Sequence, residues 1–180
     1  GLVAPFGLAI TPDGSRLFVT GGSSIKVIDT AVQRVIADIA VSGTRFLAIS
    51  PDGRRVYAPQ QFNDGMAVID VESLSVVGNV TVPGAGRRGV VVSRDSRCVY
   101  VVTESSPQLS VIDAATLTVV ATVPVSGSSA QGVDVSADGG EVYVFSSRRF
   151  TRISTATHSI VGVTSLGGAA DSLILGGNVV

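Results

Sequence analysis

The stretch GLAITPDGSRLFVT at residues 7–20 decides the fold, because its pattern returns three more times along the chain. The later copies read FLAISPDGRRVYAP at 46–59, GVVVSRDSRCVYVV at 89–102 and GVDVSADGGEVYVF at 132–145. Each copy is an apolar run, a turn centred on an aspartate, and a second apolar run with one aromatic residue. The aspartates and the aromatic residues both recur in steps of 39, 43 and 43: Asp13, Asp52, Asp95 and Asp138, and Phe18, Tyr57, Tyr100 and Tyr143.

Two further apolar runs complete each repeat. In the first copy they are SIKVID at 24–29 and RVIADIAV at 34–41. The chain is rich in β-branched residues, with 32 Val and 11 Ile against one Lys and three Glu, and no run has a helical period. A repeat of about forty residues with four short strands, a to d, predicts an all-β protein, a β-propeller of four-stranded antiparallel blades.

The repeats predict a single propeller domain over residues 1–180. Its four complete blades are expected at about 1–41, 42–82, 83–125 and 126–166, and residues 167–180 begin a fifth blade with a strand a at 171–175. The simplest interpretation is part of a larger propeller. The alternatives are a four-bladed ring with a surplus strand, and two chains that assemble one larger ring. Open blade edges would favour self-association.

Composition excludes several classes of function. The formal net charge is −1, so no global attraction to nucleic acid is expected, and no apolar run reaches the length of a membrane span. The single cysteine, Cys98, excludes an internal disulfide, and the only histidine, His158, lies alone in a predicted turn. The sequence therefore predicts no catalytic set, no metal site and no cofactor. The motif GAGRRG at 84–89 leads into a strand, so it predicts an inter-blade connection rather than a dinucleotide site.

The repeat resembles the YVTN β-propeller repeat family over essentially all 180 residues. The resemblance rests on the motifs quoted above, and the Trp-Asp signature of another propeller family is absent because the chain contains no Trp. It implies a propeller that commonly has seven blades, and an extracytoplasmic location, as in bacterial cell-surface, surface-layer and periplasmic proteins. Related propellers include lactonase-like enzymes and haem-bearing redox domains.

Positions that differ between repeats are free to serve binding. The a–b and c–d turns are nearly uniform, whereas the d–a and b–c connections vary. The b–c connections add residues 60–64, Glu104 and 148–150 to one end of the blades. The candidate ligand-binding residues lie just before or within strand a: Phe6, Arg45, Arg87, Arg88, Gln131, Asp134 and Asp171. Asp134 replaces the Ala or Val of the other copies, which predicts a carboxylate in the channel.

These residues favour a non-catalytic scaffold that binds a protein, a glycan or a small ligand at the channel mouth. Arg45 and Arg88 are equivalent in adjacent blades and would hold a small or peptide-like anion. One alternative is a lactonase-like hydrolase, for which the candidate residues are Asp134, Asp171, Arg45 and Arg88. The other is a segment of a larger protein whose active part lies outside this chain. The sequence therefore does not decide whether the protein is an enzyme, and it favours a non-catalytic role.

Four structural expectations follow from the repeat. The four repeated aromatic residues should be buried between blades. Asp29, Asp70 and Asp113, which end strand c, should accept hydrogen bonds from nearby backbone amides. Ser96, which replaces the turn glycine of the other copies, should be strained or should form a different type of turn. The Cys98 thiol should be partly exposed.

Overall fold

The computed structural model describes residues 5–62, 65–84 and 86–166. The described chain folds into sixteen strands that form four separate antiparallel sheets of four strands each. Within every sheet the strands are arranged in chain order, from a to d, which is the blade pattern that the repeats predict. The predicted fold class, an all-β propeller architecture, is therefore confirmed.

The strand bounds follow the repeat. Blade 1 contains β1 Pro5–Ile10, β2 Arg16–Gly21, β3 Ser24–Asp29 and β4 Arg34–Ile39. Blade 2 contains β5 Ala48–Ile49, β6 Arg55–Pro59, β7 Gly65–Asp70 and β8 Ser75–Thr81. Blade 3 contains β9 Arg87–Val92, β10 Cys98–Thr103, β11 Gln108–Asp113 and β12 Thr118–Pro124. Blade 4 contains β13 Ala130–Val135, β14 Glu141–Ser146, β15 Arg149–Ser154 and β16 Ile160–Ser165. The predicted strand at 171–175 lies outside the described residues.

The core consists of three apolar clusters, one between each pair of consecutive blades. They join blade 1 to blade 2, blade 2 to blade 3 and blade 3 to blade 4. We call the side of each sheet that carries the repeated aromatic residue its leading face, and the opposite side its trailing face. Each cluster is formed by the leading face of one blade and the trailing face of the next. None of these clusters joins blade 4 to blade 1, so the described residues form an open stack.

The repeated aromatic residues are buried only where a following blade covers them. Phe18, Tyr57 and Tyr100 are at most 2% exposed, as predicted. Tyr143 is only half-buried, so the prediction is wrong for the fourth copy. Its ring instead packs on Phe150 of the same blade, with 5.3 Å between ring centroids. Because no described blade follows blade 4, nothing in this part of the chain can enclose Tyr143.

The a–b turns use one geometry in all four repeats. Gly14, Gly53 and Gly139 have φ near +72°, and Ser96 takes the same left-handed conformation with φ of 61°. In this conformation the Cβ atom of serine crowds the backbone, whereas glycine has no Cβ, and this is the predicted strain. The Ser96 hydroxyl accepts a hydrogen bond from the Asp52 amide of the preceding blade at 3.1 Å, which helps to offset that strain.

The c–d turns confirm the structural role of the strand-ending aspartates. The Asp29 carboxylate accepts hydrogen bonds from the amides of Ala31 and Val32 at 2.9 and 3.0 Å. Asp70 and Asp113 accept equivalent bonds from the amides of the residues that follow them. Among the described residues there is no helix with the length and apolar character needed to cross a bilayer.

Candidate functional site

The end of the stack formed by the d–a and b–c connections, here called the rim, brings together two of the predicted binding residues. The guanidinium carbon of Arg45 lies 4.6 Å from the centroid of the Phe6 ring. Phe6 is 58% exposed and Arg45 is half-buried, so both are accessible from solvent. A cation–π contact at such a site contributes about 0.5–1 kcal/mol and restricts the arginine to the ring. The pair presents a positioned cation beside an exposed aromatic surface.

The backbone beneath this pair fixes its position. A Cβ atom added to Gly7 would lie 2.3 Å from the Arg45 carbonyl oxygen, so only glycine permits this approach of blade 1 to blade 2. The buried Thr20 hydroxyl accepts a hydrogen bond from the Gly7 amide at 2.8 Å and lies within donating distance of the Arg45 carbonyl, at 3.3 Å. These contacts hold the Arg45 backbone in place, and the Arg45 side chain packs against the Phe6 ring.

The b–c connections brace the d–a connections at the rim. The Gln60 side-chain amide donates to the Ser42 carbonyl at 3.2 Å, and that of Gln108 donates to the Pro83 carbonyl at 2.8 Å. The Ser129 hydroxyl donates to the Glu104 carboxylate at 3.3 Å. Phe62, on the first of these connections, is 86% exposed. An exposed phenylalanine on a braced loop is a feature of recognition surfaces.

The remaining predicted binding residues are placed differently. Gln131 is exposed on β13, and Arg87 and Arg88 lie on β9. Asp134 lies opposite Tyr143 in the sheet, which puts it on the leading face of blade 4. Its carboxylate accepts a hydrogen bond from the Val135 amide at 2.8 Å. Asp171 is outside the described residues, as are Asn63 and Asp64 of the first b–c loop.

The opposite end of the stack, formed by the a–b and c–d turns, contains clefts that the sequence analysis did not predict. One lies between blades 1 and 2, with a volume of about 670 Å³, and others of about 370 and 260 Å³ lie between the next pairs of blades. The first is lined by Asp13, Arg16, Asp52, Arg54 and Asp70 among others. A cleft between two repeats depends on how blades stack, which no single repeat shows.

The carboxylates in the cleft between blades 1 and 2 accept hydrogen bonds within their own turns. Asp13 accepts hydrogen bonds from the Thr11 hydroxyl at 2.5 Å and from the Ser15 amide at 3.0 Å, which lower the pKa of Asp13 to about 2. Hydrogen bonds from Ser73 likewise lower the pKa of Asp70. A general acid needs a raised carboxyl pKa, and these groups are shifted the other way. The described residues also contain no cluster of His, Cys, Asp and Glu that could hold a metal ion.

Arginine side chains fasten consecutive blades together at this end. Arg16 donates to the Val71 carbonyl of blade 2, and Arg55 donates to the Ala114 carbonyl of blade 3 at 2.5 Å. Cys98 has the equivalent position in blade 3, where burial raises the pKa of its thiol. There Arg94 donates instead to the Val135 carbonyl at 3.1 Å. Arg16, Arg55 and Arg94 therefore hold consecutive blades together.

The fold and the repeated blades define a β-propeller protein, and comparison with known proteins identifies its family. The chain belongs to the cytochrome D1 heme domain family, whose model matches residues 17–149. A solved structure, Kuenenia stuttgartiensis hydrazine synthase, superposes with a TM-score of 0.85 at 24% sequence identity. The alignment covers 91% of this chain and 49% of that one, so the chain spans about half the neighbour's length. No curated protein matches the chain in sequence.

The described residues do not fit the haem that the family name implies. Haem iron is ligated in proteins by His, Cys, Met or Tyr side chains. The innermost strands β1, β5, β9 and β13 contain none of these residue types. His158 lies in the turn before β16, and Met66 is fully buried between blades 2 and 3. This part of the chain thus places no iron ligand along the channel.

Proposed function

We propose that this chain is a propeller segment that acts as a non-catalytic binding scaffold, with the Phe6–Arg45 pair at the rim as its recognition element. The observation that carries the proposal is the guanidinium of Arg45 held 4.6 Å above the exposed Phe6 ring. A guanidinium matches the two oxygens of a carboxylate or phosphate, and the aromatic ring supports an apolar or sugar surface beside it. The ligand class is a small or peptide-like anion, including an acidic sugar.

The state of the carboxylates supports a binding role over hydrolysis. Seven aspartates in the described part of the chain have a lowered pKa, with hydrogen bonds in turns or to Lys26 among the causes. A lactonase-like hydrolase would need an acid–base group or a metal at the channel mouth. Asp134, the described candidate, is turned toward the blade face. The lowered pKa values of these carboxyl groups therefore favour binding over hydrolysis.

The type of repeat and the location of the protein are part of the same proposal. We assign the repeats to the YVTN type on the motifs quoted above, and we place the protein outside the cytoplasm, as the resemblance to surface-layer and periplasmic propellers implies. Arg87, Arg88, Gln131 and Asp171 would extend the recognition surface around the channel mouth. The acidic residues there would weaken binding of uniformly anionic ligands, so we expect modest affinity that falls with ionic strength.

The test is a calorimetric titration of inorganic phosphate, glucuronate and a short glutamate-rich peptide into four proteins. These are the unmodified chain, Arg45→Ala, Arg45→Lys and Arg34→Ala, which removes an exposed arginine from β4, away from the rim. We expect Arg45→Ala to weaken the best anion about tenfold and Arg45→Lys to weaken it less. Arg34→Ala should bind as the unmodified chain does. Equal binding by Arg45→Ala and the unmodified chain would place the site elsewhere.

A second pair of variants tests the extension around the mouth. Arg88→Ala and Gln131→Ala remove the equivalent side chains of blades 3 and 4. If the recognition surface spans several blades, both variants should weaken the same ligand that Arg45→Ala weakens. An effect confined to Arg45→Ala would restrict the site to blades 1 and 2.

A further inference from the structure

The interface between blades 3 and 4 differs from the other two at the end of the stack formed by the a–b and c–d turns. In those two, Arg16 donates to the Val71 carbonyl, and Arg55 donates to the Ala114 carbonyl. Each arginine begins strand b, and the carbonyl belongs to the residue that follows strand c of the next blade. In blade 3 this position of strand b is Cys98. A thiol is a weak hydrogen-bond donor and carries no positive charge, so Cys98 does not replace a guanidinium.

The carbonyl that an arginine at this position would reach is that of Thr155, which follows strand c of blade 4. The Thr155 amide donates to the Gly140 carbonyl at 3.0 Å, and the Val71 amide makes the equivalent bond to the Arg54 carbonyl at 2.9 Å. The backbone is therefore arranged in the same way in both interfaces. Thr155 is half-buried, and no described residue donates a hydrogen bond to its carbonyl oxygen. This acceptor thus keeps the position that binds a guanidinium elsewhere in the stack.

A cleft of about 260 Å³ lies at this place, between blades 3 and 4. Its volume is far larger than a single water molecule needs. Residues of both blades line it, among them Cys98, Tyr100 and Asp95 of blade 3 and Asp138 and Thr155 of blade 4. Asp95 and Asp138 are exposed, so both carboxylates are accessible from solvent. The cleft therefore combines an available carbonyl with two accessible negative charges.

The cleft between blades 2 and 3 shows which group this arrangement binds. Its lining has an aspartate, a tyrosine and a carbonyl at the equivalent positions, together with the arginine: Asp52, Tyr57, Ala114 and Arg55. Arg55 lies opposite Asp70 in the sheet, and Cys98 lies opposite Asp113 in the same way. Burial and the charges of Asp95 and Asp113 raise the pKa of the Cys98 thiol, so it is uncharged at neutral pH. The carboxylates around the position are thus retained in blade 3, whereas its cation is not.

A second arginine, Arg94, lines the same cleft but donates to other carbonyls. Its guanidinium donates to the Val135 carbonyl at 3.1 Å and to the Ser136 carbonyl at 3.3 Å. Both belong to the end of strand a and the a–b turn of blade 4, whereas Thr155 lies in the c–d turn. Arg94 therefore joins blades 3 and 4 without donating to the carbonyl that the equivalent arginines bind in the other interfaces.

We propose that the cleft between blades 3 and 4 binds a guanidinium group, supplied by an arginine side chain of a peptide or protein partner. The guanidinium would donate to the Thr155 carbonyl between the Asp95 and Asp138 carboxylates, as Arg55 does at the equivalent place. An ammonium lacks the planar fork of donors and would fit less well. Free arginine would bring its own carboxylate towards these aspartates, whereas an arginine within a peptide does not. The cleft lies at the opposite end of the stack from the rim, so the proposal is independent of the binding role proposed there.

The test compares four ligands on four proteins. The ligands are N-ethylguanidinium, ethylammonium, free arginine and a blocked tripeptide with arginine between two glycines. The proteins are the unmodified chain, Cys98→Arg, Cys98→Ser and Arg55→Cys. Cys98→Arg restores the arginine of the repeat and fills the cleft from within, whereas Cys98→Ser is the matched control that leaves it open. Amide chemical shifts of Thr155 and Ala156 in NMR titrations locate and measure binding, and circular dichroism checks that each variant folds.

The unmodified chain and Cys98→Ser should bind N-ethylguanidinium and the blocked tripeptide equally well. Ethylammonium and free arginine should bind about fivefold more weakly or worse, because one lacks the fork of donors and the other adds a repelled carboxylate. Cys98→Arg should weaken N-ethylguanidinium binding by more than about tenfold and raise the melting temperature, since its own guanidinium occupies the cleft. Arg55→Cys should create a second site, detected at the Ala114 and Ala115 amides, which keeps the test decisive if Cys98→Arg does not fold.

Three results would overturn the proposal. Shifts at Thr155 and Ala156 that no guanidinium ligand produces would mean that the bonds of Arg94 already complete this interface. Binding that Cys98→Arg leaves unchanged would place the guanidinium site elsewhere. Free arginine that binds as tightly as the blocked tripeptide would exclude an arginine within a peptide as the intended ligand.

Discussion

The leading faces of blades 3 and 4 have the same strand register but different composition. In blade 3, Val111 lies beside Tyr100, and both are buried under blade 4. In blade 4, Arg152 lies beside Tyr143, and the pair remains accessible. The backbone of the repeat does not distinguish the two faces, whereas the presence of a following blade does. A residue at the same position of the repeat can therefore stabilise the core in one blade and be free for contact in another.

The largest effect is expected from exchanging valine and arginine between the two faces. Val111→Arg would bury an unpaired guanidinium between blades 3 and 4 and should cost more than about 4 kcal/mol of the free energy of unfolding. Arg152→Val removes an ion pair with Glu141 that is partly open to solvent and should change stability by less than about 1 kcal/mol. Urea unfolding of both variants measures the difference. Similar costs at the two positions would mean that the two faces are equally covered.

The aromatic residues give the next largest contrast. Tyr100→Ala removes a buried ring and should cost about 3–5 kcal/mol, whereas Tyr143→Ala should cost well under half as much. Both can be measured by thermal or urea unfolding. If Tyr143→Ala proves as costly as Tyr100→Ala, Tyr143 is enclosed within the single chain and the assignment of an outer face is wrong.

The arginine anchors between blades should have a smaller effect. Arg55→Ala removes the hydrogen bond to the Ala114 carbonyl of blade 3 and should cost about 1.5 kcal/mol. Arg34→Ala is the matched control, because Arg34 is exposed and should contribute almost nothing. Urea midpoints of the two variants provide the comparison. Equal midpoints would show that these guanidinium groups do not hold the blades together.

The turn aspartates should give the smallest single effects and a shared dependence on pH. Asp70→Ala should cost about 1 kcal/mol through the lost bonds to the Ser73 amide and hydroxyl, and leave anion binding unchanged. Because the folded pKa of these carboxyls lies below the unfolded value of 3.8, their stabilisation is present above pH 4 and is lost as pH falls toward 2. Thermal melts from pH 7 to pH 2 test the sign. Stability that rises on acidification would contradict it.

The sequence predicted the structure within each blade but not the contacts between blades. The strands, the a–b turns and the bonds accepted by Asp29 and Asp113 depend on local spacing, and all of them were predictable. The exposure of Tyr143 was not, because it depends on whether a further blade is present. The inter-blade bond of Arg16 to the Val71 carbonyl and the approach of Gly7 to Arg45 also require the stacking geometry.

The candidate site was predicted as a set of positions rather than as contacts. Repeat comparison identified Phe6 and Arg45 as variable residues at the channel mouth, and the structure places them against each other. It did not predict that Asp134 would lie on the leading face of blade 4, opposite Tyr143. The ion pair of Glu141 with Arg152 was detectable as two departures from the repeat, Arg to Glu and Val to Arg.

The most direct test of the contrast between covered and outer faces is chemical nitration of the three tyrosines, followed by mass spectrometry. Burial raises the pKa of Tyr57 and Tyr100, which suppresses the reactive phenolate and protects both rings at any protein concentration. We expect Tyr143 to react readily while Tyr57 and Tyr100 stay protected. Protection of Tyr143 equal to that of Tyr100 would contradict the account, because its face would then be covered within a single chain.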